Sequence, residues 1–298
     1  MANRRIEEHL EQLGRLRSAT PAEAVPPLRK ALNDKTNLIV AKAAKIAGES
    51  MIRELIPDLL AAYNRIFDDD PAKRDPQCWG KNAIAKALRE MEYAEAEPYL
   101  RGARYVQMEP VWGGSQDTAA ALRGICLLAL PGCSDIRREK IMRFLVDALA
   151  EADPAVRADA ARAIGCMGGD DSALLLRLKS RLGDKESAVT GQVFESLLAL
   201  ERVEALEFVQ EFLDRTGGDV AEEAALAIGS SRMEKGVELL MEVWEGAMGE
   251  EYRQAILRAL SISRQDRAVE FLRKLAKEGS KDARAALELF PDSGATRG

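Results

Sequence analysis

The side chains of this chain limit the chemistry that it can perform. The 298 residues include a single histidine, His9, which excludes metal centres built from several histidines and most histidine-dependent triads. The sequence has no GxxxxGK[ST] phosphate loop, no GxGxxG turn and no GxSxG nucleophile elbow. We therefore predict no catalytic residue, no metal site and no cofactor. A binding protein is favoured over an enzyme, and an enzyme is left open.

The cysteines and the acidic run 68–70 are the remaining groups that could react or bind metal. The run lacks the spacing of a calcium loop and is typical of a solvated turn. The cysteines form no CxxC pair, which is typical of reduced thiols in a cytoplasmic protein. They are Cys78, Cys126, Cys133 and Cys166.

The segment Arg104–Gln116 is the best candidate for a specialised loop. It is longer than the neighbouring connections, and long loops in compact domains often carry function. Trp112, beside two glycines, could anchor a partner, with Met108, Arg104 and Asp117 around it. In the alternative interpretation, Trp112 and Met108 fold back and fill a gap between helices.

A repeated pair of helices must position these residues. In the C-terminal half, the helical pattern i, i+3, i+4, i+7 of apolar residues recurs in two interleaved series. One series begins, at intervals of 31 residues, at Thr190, Ala221, Tyr252 and Ala283. The other begins at Ala205, Val237 and Ala268. Two series with a common period predict a repeated helix pair.

The N-terminal half follows the same scheme with a longer and less regular period. Its second-helix patterns begin at Val40, Lys81, Thr118 and Arg157. We predict one domain of stacked repeats. It comprises a capping helix in 1–21, longer-period repeats in 22–168, regular repeats of about 31 residues in 169–290, and a disordered tail in 291–298.

The sequence Asp153-Pro154-Ala155-Val156-Arg157, followed by Ala160, Ala161, Ile164 and Gly165, resembles the HEAT repeat signature. The stretch 109–118 also resembles one in bacterial HEAT-repeat proteins. The resemblance covers roughly residues 22–290. It implies an all-α fold, a right-handed α-solenoid of about eight helix pairs, whose second helices line a concave binding face.

One position of each second helix should point directly away from the core, two residues after the second residue of the apolar pattern. Through successive repeats it holds Lys45, Lys86, Arg123, Arg162, Glu195, Leu226 and Leu257. Four aligned cations form a candidate site for an acidic peptide. Trp79 lies seven residues before Lys86, on the same helix face or packed at the helix start. Alternatively, the cations pair with Asp or Glu of adjacent repeats and only solubilise this face.

Charge and hydropathy limit the partners. Residues 1–150 carry 23 Lys and Arg against 21 Asp and Glu, whereas residues 151–298 carry 20 against 28. Phosphates would be repelled along the acidic half, so we expect no nucleic acid wrapped along the whole chain. The N-terminus has no signal-peptide pattern and no apolar stretch could span a bilayer. We therefore expect a cytoplasmic protein without a membrane partner.

These observations favour a non-enzymatic scaffold that binds a protein or an acidic peptide on its concave face. One alternative is a DNA-binding or alkylpurine glycosylase-like HEAT protein, because Trp112, Asp117 and Arg123 match the residue types of that cleft. A second alternative is a chaperone-like or lyase-like binder of a small ligand on the same scaffold.

Overall fold

The computed structural model describes residues 2–68, 70–214 and 217–289. Within these ranges the chain forms eighteen α-helices and one two-stranded β-hairpin, so the predicted all-α fold is confirmed. None of the described helices has the length and apolar character needed to cross a bilayer. The predicted tail 291–298 lies outside the described residues.

The chain divides into two compact units, one ending at Ala163 and the other beginning at Ile164. The helices of the first unit are α1 (Ala2–Arg15), α2 (Pro21–Leu32), α3 (Asn37–Glu49), α4 (Ile56–Phe67), α5 (Pro71–Arg74), α6 (Trp79–Glu90), α7 (Glu97–Ala103), α8 (Ala120–Ala129) and α9 (Arg138–Ala148). The division falls within α10 (Pro154–Met167). The helices of the second unit are α11 (Gly169–Leu182), α12 (Ser187–Glu201), α13 (Val203–Val209), α14 (Asp219–Ser230), α15 (Glu234–Gly246), α16 (Glu250–Ser263), α17 (Asp266–Lys277) and α18 (Lys281–Glu288).

The first unit is built from helix pairs behind an N-terminal helix. Helices α3, α6 and α8 pack side by side in one layer, and α2, α4 and α7 pack against them in a second layer. Helix α1 packs against α3 and buries Leu13, which is the position expected of a capping helix.

The second unit repeats the same arrangement more regularly. Helices α12, α14, α16 and α18 pack in succession, and the first helix of each pair packs against its second helix. These second helices begin 32, 31 and 31 residues apart, at Ser187, Asp219, Glu250 and Lys281. These intervals lie within one residue of the 31-residue interval between the apolar patterns of the sequence.

The core follows the predicted apolar pattern. Val193, Phe194 and Leu197 of α12 are fully buried, as are the equivalent residues of α14 and α16. Small residues let these helices approach closely. A Cβ atom on Gly229 would lie 2.8 Å from the carbonyl carbon of Ala259 in the next repeat.

The predicted loop Arg104–Gln116 is largely a β-hairpin, which corrects the sequence-based expectation. Strand β1 (Met108–Val111) pairs antiparallel with β2 (Gly114–Asp117). The two-residue turn between them ends at Gly113, whose φ of 89° is favourable only for glycine. The strands escaped prediction because they are four residues long and contain proline and glycine, which disfavour strands.

Candidate functional site

The segment 105–110, which leads into the hairpin and includes most of strand β1, has the reverse of the usual burial pattern. Side chains alternate between the two faces along an extended chain. The inward residues are Tyr105, Gln107 and Glu109, all polar, whereas the outward residues are apolar. Val106 and Met108 are each more than half exposed, and Pro110 is also exposed. An extended segment on a protein surface normally buries its apolar face, so this apolar face lies where a partner could cover it.

The tip of the hairpin extends this apolar surface. Trp112 is 88% exposed, and its neighbour Val111 is also exposed. The interpretation in which Trp112 and Met108 fill a gap between helices is therefore wrong. The turn projects Trp112 into solvent because the strands on either side pair with each other and not with the helices.

Glu109 fastens the inner face of the hairpin to the helices. Its Oε1 accepts hydrogen bonds from the Gln77 backbone N–H at 2.6 Å, from Gln107 Nε2 at 2.6 Å and from Thr118 Oγ1 at 2.7 Å. Desolvation alone raises the pKa of Glu109. The hydrogen bonds and the nearby ammonium of Lys81 outweigh it, so the pKa lies below its usual value.

Lys81 is a fully buried cation beneath this anchor. Its Nζ donates to Gln107 Oε1 at 3.0 Å and to Asp75 Oδ2 at 3.3 Å. It also lies 5.2 Å from the ring centre of Tyr105 and 5.5 Å from that of Phe67. The sequence contained a signal for this site, because Lys81 occupies an apolar position of the helical pattern. A lysine in such a position needs a buried partner.

Asp75 supplies that partner and caps α6 at the same time. Its carboxylate accepts the backbone N–H of Gly80 at 2.8 Å and of Lys81 at 3.0 Å. The chain reaches this geometry through Gln77 and Cys78, whose φ values of 58° and 56° are left-handed and costly for residues other than glycine. The left-handed conformation of these two residues directs the Gln77 N–H toward Glu109. The start of the helix and the hairpin are therefore fixed to each other.

Arg123 joins the other strand to α8. It is only 3% exposed, and its Nη1 donates to Asp117 Oδ2 at 2.6 Å and to the Tyr105 carbonyl at 3.0 Å. Desolvation raises the pKa of Asp117, but hydrogen bonds from the Ala119 N–H, Arg123 and the Gln107 N–H hold it below its usual value. Asp117 and Arg123 therefore anchor the base of the hairpin.

The buried position of Arg123 corrects the expectation that it projects from a binding face. The buried residues of α8 follow the pattern Ala119, Leu122, Arg123 and Cys126, one residue later than predicted. In this register the position equivalent to Lys45 and Lys86 falls on Gly124, which is buried. The register differs from the prediction because Arg123, although charged, takes a buried position of the helical pattern. The hairpin makes this burial possible because it supplies the counter-ion.

The other predicted cations are exposed and lie near carboxylates of their own helices. Lys45 Nζ is 3.8 Å from Glu49, and Lys86 Nζ is 3.8 Å from Glu90. Arg162 Nη1 is 2.9 Å from Asp159. Lys45 and Lys86 occupy equivalent positions of the adjacent helices α3 and α6, with the acidic residue four positions later in both. The charges therefore alternate along this face.

Trp79 and Arg104 lie on either side of the anchored region. Trp79 is the first residue of α6 and is about half exposed, two residues beyond the Gln77 contact to the hairpin. The Arg104 guanidinium stacks 4.9 Å from the ring centre of Phe144 in α9. Trp79 can therefore extend the apolar surface, whereas Arg104 is directed toward α9.

The three residues that suggested a glycosylase-like cleft do not form one pocket. Trp112 is at the tip of the hairpin, and the Asp117–Arg123 pair is at its base. A four-residue strand separates them by roughly 14 Å, at ~3.4 Å per residue. Asp117 is also engaged by Arg123 and two backbone N–H groups.

Comparison with known proteins identifies the repeat. A family model described as HEAT repeats matches residues 142–229 and 208–289. These matches include Asp153–Gly165, the segment with the clearest signature. No curated protein matches the sequence.

Several solved structures resemble the chain. The complex of CpcE and CpcF of phycocyanin lyase from Nostoc sp. PCC7120 is 18% identical, with 92% of this chain and 94% of that chain covered and a TM-score of 0.37. Human deoxyhypusine hydroxylase in complex with glycerol is 19% identical, with 84% and 88% covered and a TM-score of 0.32. An engineered protein is 15% identical, with 96% and 95% covered and a TM-score of 0.32. No functional inference follows from similarities at these TM-scores.

Proposed function

The chain belongs to the HEAT-repeat family, and from this premise we propose that it is a non-enzymatic scaffold that binds a protein partner through the hairpin 108–117. The observation that carries the proposal is the reversed burial of the segment 105–110, with apolar Val106, Met108 and Pro110 outward and polar residues inward. Trp112 completes this surface at the tip.

The hairpin is well suited to binding because its base is fixed. Glu109 holds β1 to Gln77, just before α6, through an exposed hydrogen bond, and to Gln107 and Thr118 through half-buried ones. Asp117 holds β2 to α8 through a half-buried hydrogen bond with Arg123. A fixed element loses little conformational freedom when a partner binds. An exposed tryptophan on such an element can bury a large area in a pocket of the partner.

The partner contacts side chains of the hairpin, and does not add a strand to β1. Val111 and Gly114 flank the two-residue turn and form a hydrogen-bonded pair, so the next pair, Pro110 and Ser115, directs its backbone groups outward. Pro110 has no N–H to donate, which blocks strand addition at this edge. We therefore expect an apolar pocket or groove in the partner.

Charged residues of the helices are a second part of the proposed binding surface. Lys45, Lys86 and Arg162 remain proposed contacts for acidic groups of the partner, with Trp79 as a second aromatic contact. Each cation has a carboxylate of its own helix within 4 Å, which reduces its net attraction for anions. The four free cysteines support the proposed cytoplasmic location.

Site-specific photocrosslinking tests this proposal. Benzoylphenylalanine placed at position 112, and separately at 108, should capture one discrete protein from a cell extract. The purified partner should then bind the wild-type chain and should lose at least about tenfold in affinity when Trp112→Ser and Met108→Ser are combined.

The matched control places the crosslinker at Ile262, an exposed apolar residue of the second unit. Ile262→Ser should leave the affinity unchanged. Equal capture at positions 112 and 262, or partner binding that survives the double substitution in the hairpin, would refute the hairpin site.

A further inference from the structure

A second apolar surface lies on α11, in the unit that does not contain the hairpin. Leu174, Leu178 and Leu182 are 67%, 56% and 75% exposed. They recur every four residues, directly opposite the buried face formed by Ala173 and Leu176. Eight residues of helix span about 12 Å, so the three side chains form one continuous line. We name this line the α11 leucine surface.

Leucine is not what the repeat requires at these positions. The buried residues Gly236, Val237 and Leu240 align α15 with Ser172, Ala173 and Leu176 of α11. In this alignment Glu238 and Glu242 of α15 occupy the positions of Leu174 and Leu178. A solvated outer face normally carries such charged residues. Isolated exposed leucines need no explanation, but three in a line are typical of an interface.

The charges around the α11 leucine surface indicate how a partner helix would run. Asp170 and Asp171 lie in the first turn of α11. In the last turn Arg181 is paired with Glu211, and the exposed Lys185 follows the helix and adds the basic charge at this end. An antiparallel copy of the same helix would bring the acidic end of each close to the basic end of the other. The two helix dipoles would also be antiparallel, which is the favourable arrangement for neighbouring dipoles. A parallel copy would bring like charges together.

The leucine spacing is compatible with this two-fold arrangement. In an antiparallel pair centred on Leu178, Leu178 of one copy meets Leu178 of the other. Leu174 then meets Leu182, because both are four residues from the centre. A surface that is complementary to itself under a two-fold rotation is what a homodimer requires.

We propose that the α11 leucine surface pairs antiparallel with the same surface of a second copy of this chain. A 14-residue helix is about 21 Å long, so the contact is small in comparison with standard stable interfaces. The dimer is therefore weak and depends on concentration. This self-association is independent of the hairpin and of its partner.

Disulfide trapping tests the proposed axis. In a Cys166→Ser background, which removes the exposed native thiol, Leu178→Cys should give a covalent dimer on mild oxidation. Leu174→Cys and Leu182→Cys should each crosslink poorly alone and efficiently when the two variants are mixed. Efficient crosslinking of Leu174→Cys to itself would indicate parallel helices and would overturn the proposal.

Sedimentation equilibrium gives an independent measurement with no added cysteine. The wild-type chain should show a monomer–dimer equilibrium at or below about 1 mM, and Leu178→Lys should weaken association at least about tenfold. Glu242→Lys, the equivalent position of α15, is the matched control and should leave association unchanged. A wild-type chain that stays monomeric, or a dimer that is insensitive to Leu178→Lys, would also overturn the proposal.

Discussion

Replacing Lys81 by methionine tests whether the buried network holds the hairpin in place. The substitution keeps an unbranched apolar stem and removes the ammonium that contacts Gln107 and Asp75. Both charged side chains of the pair are fully buried, so the carboxylate of Asp75 would lose its counter-ion without gaining water.

Removing one partner of a buried ion pair costs about 3–5 kcal/mol. The lower end applies here, because Asp75 keeps three donors, the N–H groups of Gly80 and Lys81 and the side-chain amide of Asn37. Loss of the contacts with the Tyr105 and Phe67 rings adds ~0.5–2 kcal/mol. We expect a total loss of about 3.5–5 kcal/mol in the local stability of the first unit.

Native-state hydrogen exchange measures this loss where it occurs. The free energy of opening should fall for amides of α6, while amides of α16 in the other unit serve as an internal control. A double-mutant cycle with Asp75→Asn isolates the pair, and the double variant should be more stable than the sum of the single losses by about 1–3 kcal/mol. Additive losses, or a loss below about 1 kcal/mol for Lys81→Met, would refute the assigned interaction.

Three further predictions concern packing, pH and thiol reactivity. Gly229→Ala should lower the free energy of unfolding by about 1–3 kcal/mol, because the new methyl group meets the backbone of Ala259, whereas Gly14→Ala in open space should raise it by ~0.4–1 kcal/mol in denaturation curves. In the folded chain the pKa values of Glu109 and Asp117 are lowered. The stability that the two ionised carboxylates contribute is therefore present above their unfolded pKa values and is lost as the pH falls through their folded pKa values. NMR signals of the hairpin should therefore lose dispersion on acidification below about pH 4, before those of α16, and hairpin signals that persist to a lower pH than those of α16 would contradict the anchoring role. Burial raises the pKa of Cys78 to about 11, of Cys126 to about 12 and of Cys133 to about 11, so a thiol reagent at neutral pH should modify only Cys166 until the chain unfolds. Rapid reaction of a second thiol in the native chain would count against this burial.

The sequence by itself determined the helices, their pairing and their period. The burial of Val193, Phe194 and Leu197 follows from a helical pattern that spans a few residues, and the interval of 31 residues follows from comparing such patterns. The sequence also indicated that the segment around Trp112 is unusual. These features depend on neighbours along the chain, which is why they can be predicted without a tertiary structure.

Only the tertiary structure decided which polar side chains are buried and which apolar side chains are exposed around the hairpin. Lys81 meets Gln107 across 26 residues of sequence, and Gln77 meets Glu109 across 32. Arg123 is buried because the hairpin turns back and gives it Asp117. Whether a charge can be buried depends on a partner brought close by folding, and a local pattern contains no information about that partner.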